Sequence, residues 1–185
     1  MIRWIAFLVM SVLLVAISWR SLQRPGSHGF YRFFAWECIL ALFLVNITFW
    51  FYKPFAWNQI IAWALLLLSL VPLLSGVHSL RTRGKPAKQR ESDVSLLAFE
   101  KTTTLVTGGI YHYIRHPLYS SLLLLAWGIF FKAPSAFGVV LTVSATLFLF
   151  ATARADEREC TQFFGAPYRA YMKKTKRFIP YLFQL

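Results

Sequence analysis

Acidic residues are scarce in this chain: seven Asp and Glu stand against 20 Lys and Arg, and charged residues of both signs make up only 15% of it. Soluble domains carry about 25% charge, so the deficit excludes a surface that faces water throughout. Cysteine is nearly absent. Cys38 and Cys160 are too few for a disulfide framework and lack metal-ligand spacing, so both read as packing residues and no metal is expected. The chain also has no nucleophile triad, no metal-ligand cluster and no phosphate loop. No small-x-small cleavage pattern follows the first apolar run, which is therefore expected to remain as a helix.

What is abundant is apolar: 57% of the 185 residues are hydrophobic and 18% aromatic. The net charge of +13 lies in short segments between apolar runs, which is the membrane distribution. With no recognisable nucleic-acid module beside it, nucleic acid is excluded as a partner. A spanning helix takes about 20 mostly apolar residues, and residues 2–19, 31–52 and 60–80 supply three such runs. Pro72 lies inside the third, where a kink is expected. Residues 81–104 turn polar and predict a loop outside the bilayer. Runs at 118–131 and 136–153 follow, joined only by Lys132-Ala133-Pro134-Ser135, which predicts a tight antiparallel hairpin with a fourth helix short for a full span. The reading is an all-α integral membrane protein of about five transmembrane helices, one membrane domain over residues 1–185. Its parts are three N-terminal spans (1–80), a cytoplasmic loop and motif (81–117), the hairpin (118–153) and an amphipathic cytoplasmic tail (154–185).

With the N-terminus outside, only Arg3, Lys53 and Lys132 of the 20 basic residues fall outside, which puts the 81–117 loop and the tail in the cytoplasm. The tail interleaves Phe163, Phe164, Tyr168 and Tyr171 with arginine and lysine, so it is expected on the membrane surface, with residues 178–183 as an aromatic and apolar anchor. The location expected is a bacterial-type inner or plasma membrane.

Two segments carry the unusual residues. Gly108-Gly109-Ile110-Tyr111-His112-Tyr113-Ile114-Arg115-His116-Pro117-Leu118-Tyr119 leads into the fourth helix, and Pro117 suits its first turn. Free N–H groups there, with Arg115 and His116, would attract an anion; a basic interface collar with an aromatic belt is the plainer reading of Arg115, Tyr111 and Tyr113. Gly108-Gly109 needs no more than a turn. The second segment, Arg154-Ala155-Asp156-Glu157-Arg158-Glu159, closes the fifth helix on the same side. It reads either as a solvated helix end or as an acidic wall opposite Arg115 and His116, a pairing suited to a zwitterion such as the amino-acid end of S-adenosylmethionine. Glu37 is the only acid inside an apolar run and divides between a functional role and pairing with Arg32. Asn46 and Thr48 are read as interhelical hydrogen-bond partners and His78 as a helix-end interface residue.

Residues 105–119, then Asp156-Glu157, then Phe164-Gly165-Ala166-Pro167-Tyr168-Arg169-Ala170-Tyr171 closely resemble the isoprenylcysteine carboxyl methyltransferase and phospholipid methyltransferase superfamily. The shared pattern is Gly-x-Tyr-x-x-x-Arg-His-Pro-x-Tyr, a hairpin, an acidic pair and Phe-Gly-x-x-Tyr-x-x-Tyr, over roughly residues 95–182. The resemblance implies a helical membrane enzyme with S-adenosyl-L-methionine as cofactor, a pocket enclosed under the tail and a lateral opening for a lipophilic acceptor from the bilayer. It implies cofactor contacts from Tyr111, Arg115, His116, Pro117, Leu118, Tyr119, Asp156, Glu157 and Tyr168, with Arg115 and Glu157 closest to the chemistry and Tyr171 in the tail motif. Two positions depart: Ser121 stands where the family commonly has glycine, and Asp156 shortens the usual Glu-Glu pair, which favours Glu157 for the direct contact. Asp156-Glu157-x-x-Cys160 with Gly165 and Pro180-Tyr181 also resembles the end of the sterol reductases, which would imply a nicotinamide cofactor. A non-enzymatic binding protein on the same scaffold is the third reading.

Overall fold

A computed structural model describes residues 2–84 and 104–179. Among the described residues there are six α-helices: α1 (Ile2–Leu22), α2 (His28–Asn46), α3 (Trp57–Arg83), α4 (Pro117–Lys132), α5 (Ala136–Phe164) and α6 (Ala166–Lys174). Among the described residues there is no strand, only a single parallel bridge between Ile114 and Lys176. Four helices, α1, α2 with its 3-10 extension, α3 and α5, are long and apolar enough to cross a membrane. At 16 residues, or about 24 Å, α4 falls short of the roughly 30 Å hydrocarbon core, as the apolar run predicted. The 29 residues of α5 reach about 43 Å, so its polar end projects past that core.

Bilayer-facing burial sets the packing. α1 rests on α2 and turns Leu8, Val12 and Ile17 outward, each more than half exposed, as lipid-facing positions should be. The heaviest contacts are α3 with α4 and α2 with α5. The short 133–135 link makes α4 and α5 a hairpin in sequence, yet each packs more closely on another helix, which leaves an apolar groove between them. Leu42, Ala126, Ile129 and Ala145 fill the core where α2, α4 and α5 meet.

The predicted polar loop begins later than expected, because α3 continues to Arg83; residues 85–103 lie outside the described residues. α3 also runs on through the buried Pro72. Asn46 does bond across helices, donating to the Ile129 carbonyl at 2.9 Å, whereas Thr48 is exposed in a 3-10 turn, Ile47–Phe49, and His78 is exposed on α3. Glu37 accepts from the Ser11 hydroxyl at 2.7 Å, while the Arg32 guanidinium lies 4.9 Å from the Trp36 ring centroid.

Lys132, placed by the sequence in the link of the hairpin, closes α4 and is only 1% exposed. Its ammonium sits 3.6 Å from the centroid of Trp63 and 5.3 Å from that of Trp50, and donates to Gln59 Oε1 at 3.0 Å and the Trp50 carbonyl at 3.3 Å. Gln59 Nε2 and Asn58 Nδ2 return the bonds, to the carbonyls of Lys132 at 2.9 Å and Phe131 at 3.1 Å, satisfying the last turn of α4. A cation is held there by ring faces and carbonyl dipoles alone.

Candidate functional site

The site is assembled where the start of α4, the end of α5 and the tail converge. Residues 113–116 run alongside 176–177: Arg115 N–H donates to the Lys176 carbonyl at 2.7 Å, His116 N–H to Arg177 at 3.1 Å, and Lys176 N–H to Tyr113 at 3.1 Å. The Ser120 hydroxyl adds a bond to the Phe178 carbonyl at 2.8 Å. The tail, expected on the membrane surface, is stitched into the protein, with Tyr168, Tyr171 and Phe178 buried. The rest of the expected anchor, residues 180–183, lies outside the described residues.

Glu157, 5% exposed, organises this junction. Its Oε1 accepts from Arg115 Nε at 2.9 Å and Arg177 Nε at 3.1 Å and lies 3.3 Å from His116 Nε2; Oε2 accepts from Arg177 Nη2 at 2.7 Å. Arg115 also donates to the carbonyls of Met172, at 3.0 Å, and Thr175. Thus one carboxylate and one guanidinium clamp three stretches of chain. Of the basic and acidic walls expected from sequence, Arg115 and Glu157 face each other directly.

Asp156 turns elsewhere. Residues adjacent on an α-helix point about 100° apart, so Glu157 can face the tail while Asp156 faces the cavity beside it. Asp156 Oδ2 accepts from the Tyr119 hydroxyl at 3.3 Å and lies 3.4 Å from His116 Nδ1, and Oδ1 accepts from the Cys160 thiol at 3.4 Å. His116 therefore lies between both carboxylates, its ring stacked on Tyr119 at 5.3 Å. Burial alone would push this imidazole down, but its hydrogen bonds to Asp156 and Glu157 and their charges outweigh that, raising it above its ordinary range. When protonated, the ring can donate from both nitrogens, Nδ1 toward Asp156 and Nε2 toward Glu157.

The cavity measures about 100 Å³. Asp156, Arg115, His116 and Cys160 supply its polar wall, Tyr111, Tyr119, Phe164, Tyr168 and Tyr171 its aromatic one, and Leu80, Leu105, Val106, Pro117 and Leu118 the rest. Burial pushes the Tyr168 and Tyr171 phenols up, so both stay protonated, and Tyr171 donates to the Tyr111 carbonyl at 2.6 Å. Gly108 and Gly109, read as a plain turn, prove to be tight positions. A Cβ on Gly108 would collide with the Arg83 guanidinium, and Gly109 has φ +67° with Ser79 Oγ 2.6 Å from where its Cβ would stand.

The family model for phospholipid methyltransferases matches residues 57–166. The chain belongs to the phospholipid methyltransferase family. No curated protein and no solved structure matches it. The match runs from the first residue of α3 to the first of α6, so it contains the junction of α4 with α5 and stops before Tyr168 and Tyr171. Within this family of membrane methyltransferases the chain is a multi-pass member, and the motif resemblance had pointed to that superfamily.

Of the residues singled out in the sequence, Tyr111, Arg115, His116, Pro117, Leu118, Tyr119, Asp156 and Tyr168 line the one cavity. Glu157 does not, and acts on it through Arg115 and His116. Sequence reasoning missed Arg177 as a partner of Glu157, and Cys160, which it assigned to packing. It also missed His28, whose backbone N–H and Nδ1 meet Glu159 at 2.8 and 2.5 Å and tie the start of α2 to α5. The one available signal was the i, i+4 spacing of Asp156 and Cys160, which puts both on one helix face.

Proposed function

We infer that this methyltransferase takes its methyl group from S-adenosylmethionine, bound from the cytoplasmic side, and passes it to a lipophilic acceptor drawn from the bilayer. The observation that carries the reading is the cavity wall itself: a carboxylate, Asp156, held in place by His116, Tyr119 and Cys160, faces a ring of tyrosines at the polar end of an apolar bundle. This donor set fits the cofactor. Asp156 suits its ammonium, Arg115 its carboxylate, and aromatic faces suit a sulfonium and a purine. When bound, the cofactor supplies an electrophilic methyl carbon.

The protein's part is positioning and exclusion of water. Arg115 is fixed by Glu157 and two carbonyls, so its charge is preset rather than gathered on binding. α6 covers the cavity with Tyr168 and Tyr171. A carboxylate acceptor needs no base; a thiol or amine must give up a proton, and Asp156 is the carboxylate on the cavity wall. The distribution of Lys and Arg supports a cytoplasmic site. Thr104→Cys, in a chain without Cys38 and Cys160, is then labelled only from the cytoplasmic face. Function is tested by incubating the protein in nanodiscs with lipid extract and methyl-labelled S-adenosylmethionine, then locating the label by mass spectrometry. Label in an apolar lipid product is expected. Stabilisation by reduced nicotinamide, with none by S-adenosylhomocysteine, overturns the reading.

A further inference from the structure

The end of α5 sorts its charges by face. Asp156, Glu157 and Glu159 are taken up inside the protein, by His116, by Arg115 and Arg177, and by His28 respectively. Arg154 and Arg158 are exposed, and among the described residues no carboxylate pairs with either. They lie four residues apart, so their like charges oppose each other along the helix. Next to them two apolar grooves meet. One, about 550 Å³, lies between α4 and α5 over Leu123 and Trp127 and reaches Arg154 and Arg177; the other, about 780 Å³, runs between α5 and Tyr31 of α2 and reaches Arg154 and Arg158. Thr146, Phe150 and Arg154 belong to both.

We propose that this ridge seats a diacyl phospholipid of net negative charge as a resident lipid, one chain in each groove and the phosphate between Arg154 and Arg158. The inference goes beyond methyl transfer and does not depend on it. Two grooves that converge on one basic crest match two chains that converge on one headgroup. Arg154 and Arg158 have no carboxylate partner among the described residues, so a zwitterionic headgroup would bring another cation beside the two arginines, whereas a singly anionic one would not. Its position at the polar end of a spanning helix is where lipid phosphates lie, and two basic residues at a membrane surface favour an acidic lipid by roughly thirtyfold.

The test uses the full chain in nanodiscs of phosphatidylcholine with a minority of phosphatidylglycerol, released for native mass spectrometry of the lipid retained. Wild type is expected to keep phosphatidylglycerol well above its share of the bilayer. Arg154→Gln with Arg158→Gln should fall to the bulk ratio, and the Lys pair at the same positions should keep the enrichment. Ala151→Trp, which narrows the groove beside Tyr31 and leaves the charges intact, should release the lipid. Three results overturn the proposal: wild type at the bulk ratio, enrichment surviving the double Gln change, or undiminished retention by Ala151→Trp. A fourth is a retained phosphatidylglycerol that gains the methyl group when S-adenosylmethionine is added, which would make it the acceptor and not a resident.

Discussion

Each end of the helical bundle buries charge, and the two ends solve the problem differently. At the end where α4 gives way to α5, Lys132 is enclosed by Trp50, Trp63, Gln59 and carbonyl oxygens, with no acid in the cage among the described residues. At the opposite end Glu157 gathers Arg115, His116 and Arg177, and the neighbouring Asp156 is left to face a cavity. A cation satisfied on all sides fastens helices together. An ion cluster that leaves one carboxylate turned outward fastens them and presents chemistry as well.

The largest effect should come from Glu157→Gln, which strips the counter-charge from buried cations. Breaking a buried ionic partner costs about 3–5 kcal/mol, so the variant should lose tail docking, seen as proteolysis near residues 165–175, together with methyl transfer. Next is Asp156→Asn. The helix and its neighbours remain satisfied by a neutral amide, so folding should hold while S-adenosylhomocysteine affinity drops by about ten- to hundredfold, the worth of a charged hydrogen bond of roughly 1.5–3 kcal/mol. Lys132→Met inverts that pattern. Leaving Gln59 Oε1 and the Trp50 carbonyl short of a donor costs about 1–3 kcal/mol, read as a lower melting temperature with cofactor affinity unchanged.

The fourth prediction concerns pH. His116 is raised in the folded protein, so its contribution to stability is complete below the ordinary histidine range and is lost as pH rises through the elevated folded value. Melting temperature should decline on the alkaline side, and His116→Gln should flatten that decline. The smallest effect is Tyr171→Phe, which removes one buried bond to the Tyr111 carbonyl and should cost about 1 kcal/mol by chemical denaturation in detergent.

The sequence made the helices legible because apolar run length maps directly onto bilayer thickness, and the short run before Lys132 did become a short α4. It made the Arg115-His116-Pro117 segment and the Asp156-Glu157 pair legible as neighbours, since a hairpin returns its two ends to one side. It did not separate Asp156 from Glu157: one residue step rotates a side chain by about 100°, and which one meets the cavity depends on how α5 is turned against α2. Nor did it foresee Arg177 on Glu157 or Lys132 between two tryptophans. Those contacts join residues 20 and 82 apart, and a lysine next to a loop reads as a boundary charge until the partner helix is seen to cover it. The Glu157 cluster carries the recognisable motif because its spacing constrains residue types, whereas the Lys132 cage asks only for amides and rings.

The central claim is that the Glu157 cluster builds the cofactor site and the Lys132 cage does not. Calorimetric titration of S-adenosylhomocysteine into wild type, Asp156→Asn and Lys132→Met, all in nanodiscs, tests it most directly. The account predicts saturable binding to wild type, the same affinity for Lys132→Met, and a loss of about ten- to hundredfold for Asp156→Asn. Wild-type affinity in a folded Asp156→Asn, or an equal loss in both variants, would contradict it.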